Sequence, residues 1–299
     1  MRPAEFAAAS IAVLAGTAIL AVAAPEPSCA AAEAPPKDTP AAEAPARPAP
    51  ELPEPQSAIL RTRMGVKRLV YLYPPTVAAD PKAPAILYFS GDWGWRPLQR
   101  ETSTHLTGKG RYIVGIDSSE YFDRRLEPSD WLADLTTLKA FVNEKAGKPP
   151  ESPVMLIGFT FGGELIPFML NRGGTKGFTG ALLISLDWEG SAIYHTAIQL
   201  KLPVPPEDRF SVAEEISRLP RTFPIFPMDG ALDTQSALRS LMDLARGPHR
   251  STTIDGADRQ FRQVRDAYLA QVIQALAWME GPHPEPGSGP ATPAPPGVR

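Results

Sequence analysis

The sequence predicts a mainly parallel β-sheet with helices packed on both faces. Three observations lead there. Residues 85–90, 112–116, 154–159 and 180–186 are short, almost wholly apolar runs, as expected of strands covered on both sides. Stretches of helical character, about 10–15 residues long, separate them, which is the alternation that produces parallel crossovers. Finally, Val154-Met-Leu-Ile-Gly-Phe-Thr-Phe-Gly-Gly-Glu164 passes from an apolar run through a glycine-flanked corner into a helix-forming segment. That is the form of the G-x-S-x-G elbow, in which a hydroxyl sits on a strained turn above the sheet. Here the central residue is Thr160.

The remaining elements follow in order. Residues 66–73 read as a strand stopped by Pro74-Pro75. The central strand 85–90 runs into a glycine-and-aromatic loop, Gly91-Asp92-Trp93-Gly94-Trp95, and a helix over 97–109 leads to strand 112–116. Asp117 at the end of that strand is placed to hydrogen-bond the loop after it. Ser129 is the expected cap of a helix reaching about residue 145, with Asp130 in its first turn where the helix dipole favours an acid. After the elbow and strand 180–186, residues 190–220 read as an irregular cap over the strand ends. Residues 222–228 are strand-like, and Pro224 and Pro227 suggest a place toward the sheet edge. A helix over 234–245, a strand over 250–254 and a closing helix over 261–280 complete the body. In such sheets the functional groups lie beyond the C-terminal ends of the strands.

Composition sets the surroundings of this body. The chain has 299 residues, 43% hydrophobic and 21% charged, with a net charge of −3. No Lys/Arg cluster offers the basic footprint of a nucleic-acid binder. Of 35 prolines, 11 fall in residues 1–56 and 7 in 281–299, so extended ends flank one folded domain, residues 59–280. Residues 1–24 carry Arg2 and then, from Phe6 to Ala24, an apolar run interrupted only by Ser10 and Thr17. This reads as an export signal or N-terminal anchor, placing the body in a periplasm or on the outer face of the inner membrane. Residues 25–58 read as a stiff Pro/Ala-rich linker and 281–299 as a Pro-rich tail. Cys29, the sole cysteine, excludes an intramolecular disulfide and a cysteine metal cluster. The preceding Glu26-Pro27-Ser28 matches a lipidation signal poorly. Nothing calls for a metal or other cofactor.

The strand ends gather one constellation. Thr160 follows one strand, Asp233 a later one, and residues 256–260 the last; nucleophile, acid, base is the chain order of an α/β-hydrolase. The N–H groups of Phe161 and Trp93 are the expected oxyanion hole, in a loop that carries Asp92. Trp93 and Trp95 line a groove or cover the sheet. Glu164, Asp187 and Glu189 receive a cationic head group or are solvated acids near a helix start. The base is the difficulty, because residues 256–260 hold no histidine. His105 lies in a helix, His249 at the wrong end of the sheet and His283 in the tail, which leaves His195 in the cap. Asp258 is the carboxylate substitute, but an unperturbed pKa near ~4 suits a hydroxyl badly. Threonine adds strain, since a β-branched residue tolerates positive φ poorly, at a cost of about 1–3 kcal/mol.

Leu87-Tyr-Phe-Ser-Gly-Asp-Trp-Gly-Trp95, Gly115-Ile-Asp-Ser-Ser-Glu-Tyr-Phe122 and Leu156-Ile-Gly-Phe-Thr-Phe-Gly-Gly-Glu-Leu-Ile-Pro-Phe168 with Asn171-Arg172 resemble the VirJ/AcvB bacterial virulence proteins. The resemblance covers roughly residues 66–280 and implies an exported α/β-hydrolase fold. Better-known members cleave aminoacyl-phosphatidylglycerol, and some are linked to type IV secretion. It therefore implies anionic or aminoacylated phospholipids, or secretion-system and envelope proteins, as partners. Asp233 matches the family's acid. Thr160 departs from the family's Gly-Tyr-Ser-Phe-Gly, and Gly256-Ala-Asp-Arg-Gln-Phe261 departs from its Gly-Gly-His-His-Phe-like motif.

The expectation is a degenerate triad in a protein that binds a lipid head group or envelope partner with little or no catalysis. The alternative is an active esterase on aminoacyl-phosphatidylglycerol or a similar ester, and a secretion scaffold is a third reading by analogy alone. Thr160 separates the first two. A positive φ with His195 or a carboxylate about 3 Å from the hydroxyl favours the esterase, and a hydroxyl facing Asp233 or apolar side chains with no base near favours binding.

Overall fold

The computed structural model describes residues 54–283 apart from 63–64, 127, 201, 238–240 and 242. The leader, nearly all of the linker and the tail beyond 283 lie outside the described residues.

The central sheet runs β1 (Gln56–Arg61), β2 (Lys67–Tyr73), β4 (Ile113–Ile116), β3 (Ala85–Phe89), β5 (Val154–Phe159), β6 (Phe178–Ile184), β9 (Ile225–Gly230), β10 (Thr252–Ile254) across its width. Strand β2 is antiparallel to both neighbours, and all pairings from β4 to β10 are parallel. Side-chain alternation along each strand feeds two cores. Leu87, Phe89, Leu156 and Leu183 face α3 (Pro128–Lys145), α4 (Phe161–Gly173) and α6 (Val212–Arg218), which contribute Trp131, Leu165 and Ile216. Ile86, Tyr88, Ile157 and Leu182 face α1 (Pro97–Thr107) and α7 (Arg265–Glu280), which contribute Leu106, Tyr268 and Leu276. Each set is buried from water, so a sheet this apolar is stable only with helices on both sides.

Several boundaries differ from expectation. Residues 56–58 belong to β1 rather than to the linker; alone they lack an apolar pattern, and the ladder to β2 is what recruits them. Helix α3 begins at Pro128, so Ser129 lies inside the first turn and not at its cap. Residues 261–264 precede the closing helix, and Phe261 takes φ 53°. His283 is packed against the Trp278 ring, 4.6 Å between centroids. Of the helix expected over 234–245, residues 238–240 and 242 lie outside the description, Leu241 is helical, and 234–237 and 243–245 are turn or open chain.

The cap is more regular than the sequence suggests. It contains β7 (Glu189–Ser191) paired antiparallel with β8 (Arg209–Ser211), a single helical turn α5 (Thr196–Gln199), and α6. A signal for α6 was present: Ser211 accepts the Glu214 N–H at 3.3 Å, a Ser-x-x-Glu start.

Candidate functional site

The elbow is built by close backbone approach. Thr160 takes φ 44°, ψ −119° between β5 and α4. Its N–H donates to Ile184 O at 2.8 Å, and its carbonyl accepts from Glu164 N at 2.9 Å. Gly162 N donates to Ser90 O at 3.1 Å. A Cβ at Gly162 would lie 2.3 Å from that same oxygen, so only glycine lets the corner press onto the end of β3. These contacts over-determine a conformation that costs a threonine about 1–3 kcal/mol.

The Thr160 hydroxyl donates to Asp92 Oδ1 at 3.3 Å. Gly91 makes this possible, since a Cβ there would sit 2.3 Å from Oγ1. Burial raises the Asp92 carboxyl above its ordinary value, against the pull of Arg259 and of the Thr160 hydrogen bond. The N–H groups of Phe161 and Trp93 donate to no protein group among the described residues. The two tryptophans divide. Trp93 is 52% exposed and lines the cleft, whereas Trp95 stacks on Tyr71, donates to Tyr73 OH at 2.9 Å and covers Gly115. Asp117 ties the loop down, accepting from Trp95 N at 3.0 Å and Ser119 N at 3.1 Å.

The loop before the closing helix carries a cation, Arg259, and no histidine. Arg259 Nη1 donates to Asp187 Oδ1 at 2.8 Å and to Asp233 Oδ2 at 3.4 Å. Burial alone would lower the guanidinium's pKa, but Asp187, Asp233 and Glu164 together carry it upward. Asp258 does not join the site. Its Oδ1 accepts from Gln260 N at 3.0 Å and Arg262 N at 3.1 Å, which fastens its own loop, and it is absent from the cleft lining. His195 is likewise elsewhere: its Nε2 lies 2.9 Å from the buried Asp208, which also pairs with Arg125. His249 sits beside the first residue of β9, at the N-terminal end of the strands.

Glu164 is buried, not solvated. Its Oε1 accepts from Asp187 N at 3.2 Å. Burial, then the Asp187 charge, push its carboxyl up to about 8, with Arg259 opposing. Asp229, in β9, is pushed up to about 6, first by burial and then by Asp233, while its hydrogen bond from Ser236 opposes. Glu164, Asp187 and Arg259, but not Asp229, border a cleft of about 530 Å³ between the strand ends and the cap, which adds Ile198, Leu202 and Val204 as an apolar wall. Gln199 Nε2 donates to Asp92 O at 2.8 Å and fastens the cap to the loop that carries Asp92. Among the described residues no cluster of three or more His, Cys, Asp or Glu is placed to hold a metal ion.

A mainly parallel sheet with helices on both faces, a hydroxyl on a strained elbow and an acid after a later strand define an α/β-hydrolase fold. Solved structures agree in fold. Est1E from Butyrivibrio proteoclasticus is 13% identical with a TM-score of 0.56, the alignment covering 75% of this chain and 98% of that one. Proline iminopeptidase from Mycobacterium smegmatis is 12% identical with a TM-score of 0.55, covering 75% and 99%. Thermogutta terrifontis esterase 2 is 17% identical with a TM-score of 0.53, covering 78% and 97%. No curated protein sequence matches the chain. The chain belongs to the bacterial virulence protein (VirJ) family, whose sequence pattern matches residues 84–240.

The sequence points to Thr160, Asp233, Asp258, Asp92, Trp93, Phe161 and Glu164, of which Asp258 stays outside the cleft lining. Of these, Asp233 reaches the cleft only through Arg259. Arg259, which lines the cleft and pairs with Asp187 and Asp233, was not among them. Gln199 had no sequence signal, because its role depends on where the cap lies.

Proposed function

We propose that the protein is an exported receptor that holds the cationic head group of an aminoacylated phospholipid in this cleft, with little or no turnover. The observation that carries the reading is the Arg259–Asp233 contact at 3.4 Å. A guanidinium stays protonated at physiological pH and accepts no proton, so the triad acid orients a cation and not a base. The Thr160 hydroxyl has only a carboxyl, Asp92 at 3.3 Å, as its acceptor, and a hydroxyl so placed is a weak nucleophile. The cleft instead concentrates carboxyls, with Asp92, Glu164, Asp187 and Glu189 facing Arg209 and Arg259. A bound ammonium finds Glu164 and Asp187 near its path, and the cap's apolar wall suits an acyl or glycerol segment.

A second reading, an esterase working through Thr160 and Asp92, is favoured by the positive φ of Thr160 and by the carboxylate near its hydroxyl. It is the weaker one. At 3.3 Å the contact is longer than the ~2.5–3.0 Å of ordinary O–H···O bonds, and a carboxylate is a poor acceptor for an alcohol proton.

The test is incubation of the purified protein with phosphatidylglycerol vesicles containing lysyl-phosphatidylglycerol. The expected result is co-sedimentation that depends on the lysyl lipid, with lysine release no faster than in buffer. Release at ordinary enzyme rates, lost in Thr160→Ala, would establish the esterase instead.

A further inference from the structure

Beside the cleft, and sharing Asp92, Trp93 and Gln260 with it, lies a second cavity of about 340 Å³. Its lining carries three guanidinium groups, Arg96, Arg262 and Arg265, against one carboxylate, Asp92. The three arginines are not equally committed. Arg265 Nε is paired with Glu101 Oε2 at 2.7 Å, and its Nη1 donates to Gln260 O at 3.0 Å, so its charge is largely answered. Arg96 Nε donates to the neutral Trp93 carbonyl at 2.8 Å, which leaves its charge uncompensated. The Arg262 side chain makes no hydrogen bond or ion pair among the described residues. Asp258 is close in sequence, but its Oδ1 is taken by two backbone N–H groups and it does not line the cavity.

Gln99 supplies an independent sign. It is only 1% exposed and lines this cavity. Its Oε1 accepts the Arg96 N–H at 3.1 Å, which fixes the amide's orientation. The Nε2 end then donates to no protein group among the described residues. An amide donor left unused at a cavity wall is available to a ligand oxygen. Donors of this kind, with planar guanidinium forks beside them, match the oxygens of a phosphate.

We infer that this cavity is an anion subsite, and that the ligand of the cleft places a phosphodiester here while its ammonium group lies against Glu164 and Asp187. The second half rests on the receptor reading above; the first half stands without it. The cleft thus takes a dipolar ligand across the shared Asp92–Trp93 wall. The phosphodiester belongs either to a lipid or to a soluble head group.

Calorimetry on the full-length protein with three probes tests this: glycerophosphoglycerol (a phosphodiester without tails), lysinamide (an ammonium without phosphate), and phosphatidylglycerol vesicles containing lysyl-phosphatidylglycerol. Arg262→Ala is expected to weaken glycerophosphoglycerol about tenfold or more, with Arg262→Lys intermediate and lysinamide unaffected. Arg262 is exposed, so its loss leaves the fold intact. If Arg262→Ala and Arg96→Ala both bind glycerophosphoglycerol within about twofold of wild type, or if wild type does not bind it at all, the anion subsite is refuted. In that case lysinamide binding still judges the receptor reading separately. If the arginine variants lose the phosphodiester while lysinamide never binds, the subsite stands and the ammonium site falls. Vesicles binding more tightly than glycerophosphoglycerol, with the same arginine dependence, assign the phosphodiester to lipid, and equal affinity assigns it to a soluble compound.

Discussion

Arg259 Nη1 lies 3.4 Å from Asp233 Oδ2 and 2.8 Å from Asp187 Oδ1, so one guanidinium joins the acid of the triad to an acid of the cleft. On the receptor reading, Asp233 orients a fixed positive charge in place of a proton acceptor.

Restoring the two lost groups should restore chemistry. Thr160→Ser with Arg259→His places a serine hydroxyl on the elbow and an imidazole within reach of Asp233. Hydrolysis of p-nitrophenyl acetate by the double variant is expected to exceed either single variant by about 10²-fold, the lower range of a positioned general base. Equal rates in the double and single variants would show that the imidazole does not reach the hydroxyl.

Arg259 is also structural. Arg259→Met leaves Asp233, whose side chain is 2% exposed, with a buried charge held only by the Gln235 N–H at 3.0 Å. The expected loss is about 3 kcal/mol, read from urea midpoints. Adding Asp233→Asn should return part of it, with a coupling of about 1–3 kcal/mol between the sites. Simple additivity would mean the contact contributes little.

Glu164 sets a pH dependence. Its folded carboxyl titrates at about 8 against an ordinary 4.5, so the folded chain keeps a proton that the unfolded chain releases. This contribution to stability is complete below pH 4.5 and is lost as the pH rises to about 8. Asp229 acts in the same sense between 3.8 and about 6. Denaturation midpoints should therefore fall across the neutral range, and Glu164→Gln should flatten the fall above pH 6. An unchanged slope in that variant would place the titration elsewhere.

The same proton should report on ligand binding. At neutral pH the Glu164 carboxyl holds its proton, and a cation bound beside it favours the ionised form. Lysinamide binding is expected to release a proton at pH 7 and to tighten toward pH 8. Calorimetry in buffers of different ionisation enthalpy measures the release, and Glu164→Gln should abolish it.

Much of the fold was legible because burial writes itself into composition. Strands β3, β5 and β6 are covered on both faces, and each shows as an unbroken apolar run. The elbow was legible because Gly158, Gly162 and Gly163 are demanded by backbone contacts too close for a side chain. Strand β1 was not, since its polar residues are held by ladder bonds to β2 rather than by an apolar pattern of their own. The cap was read as irregular because its elements are only three to seven residues long, too short for periodicity to register.

The order of Thr160, Asp233 and the loop before the last helix, and the absence of a histidine from that loop, are properties of the chain alone. Which neighbours those residues meet is not. Arg259, Asp187 and Glu164 are separated by up to 95 positions, and the sheet order β5-β6-β9-β10 brings their loops to one edge. A charge's effect depends on the distance to its partners and on the water excluded around them. Both quantities exist only once the strands have paired and the cap has closed over their ends.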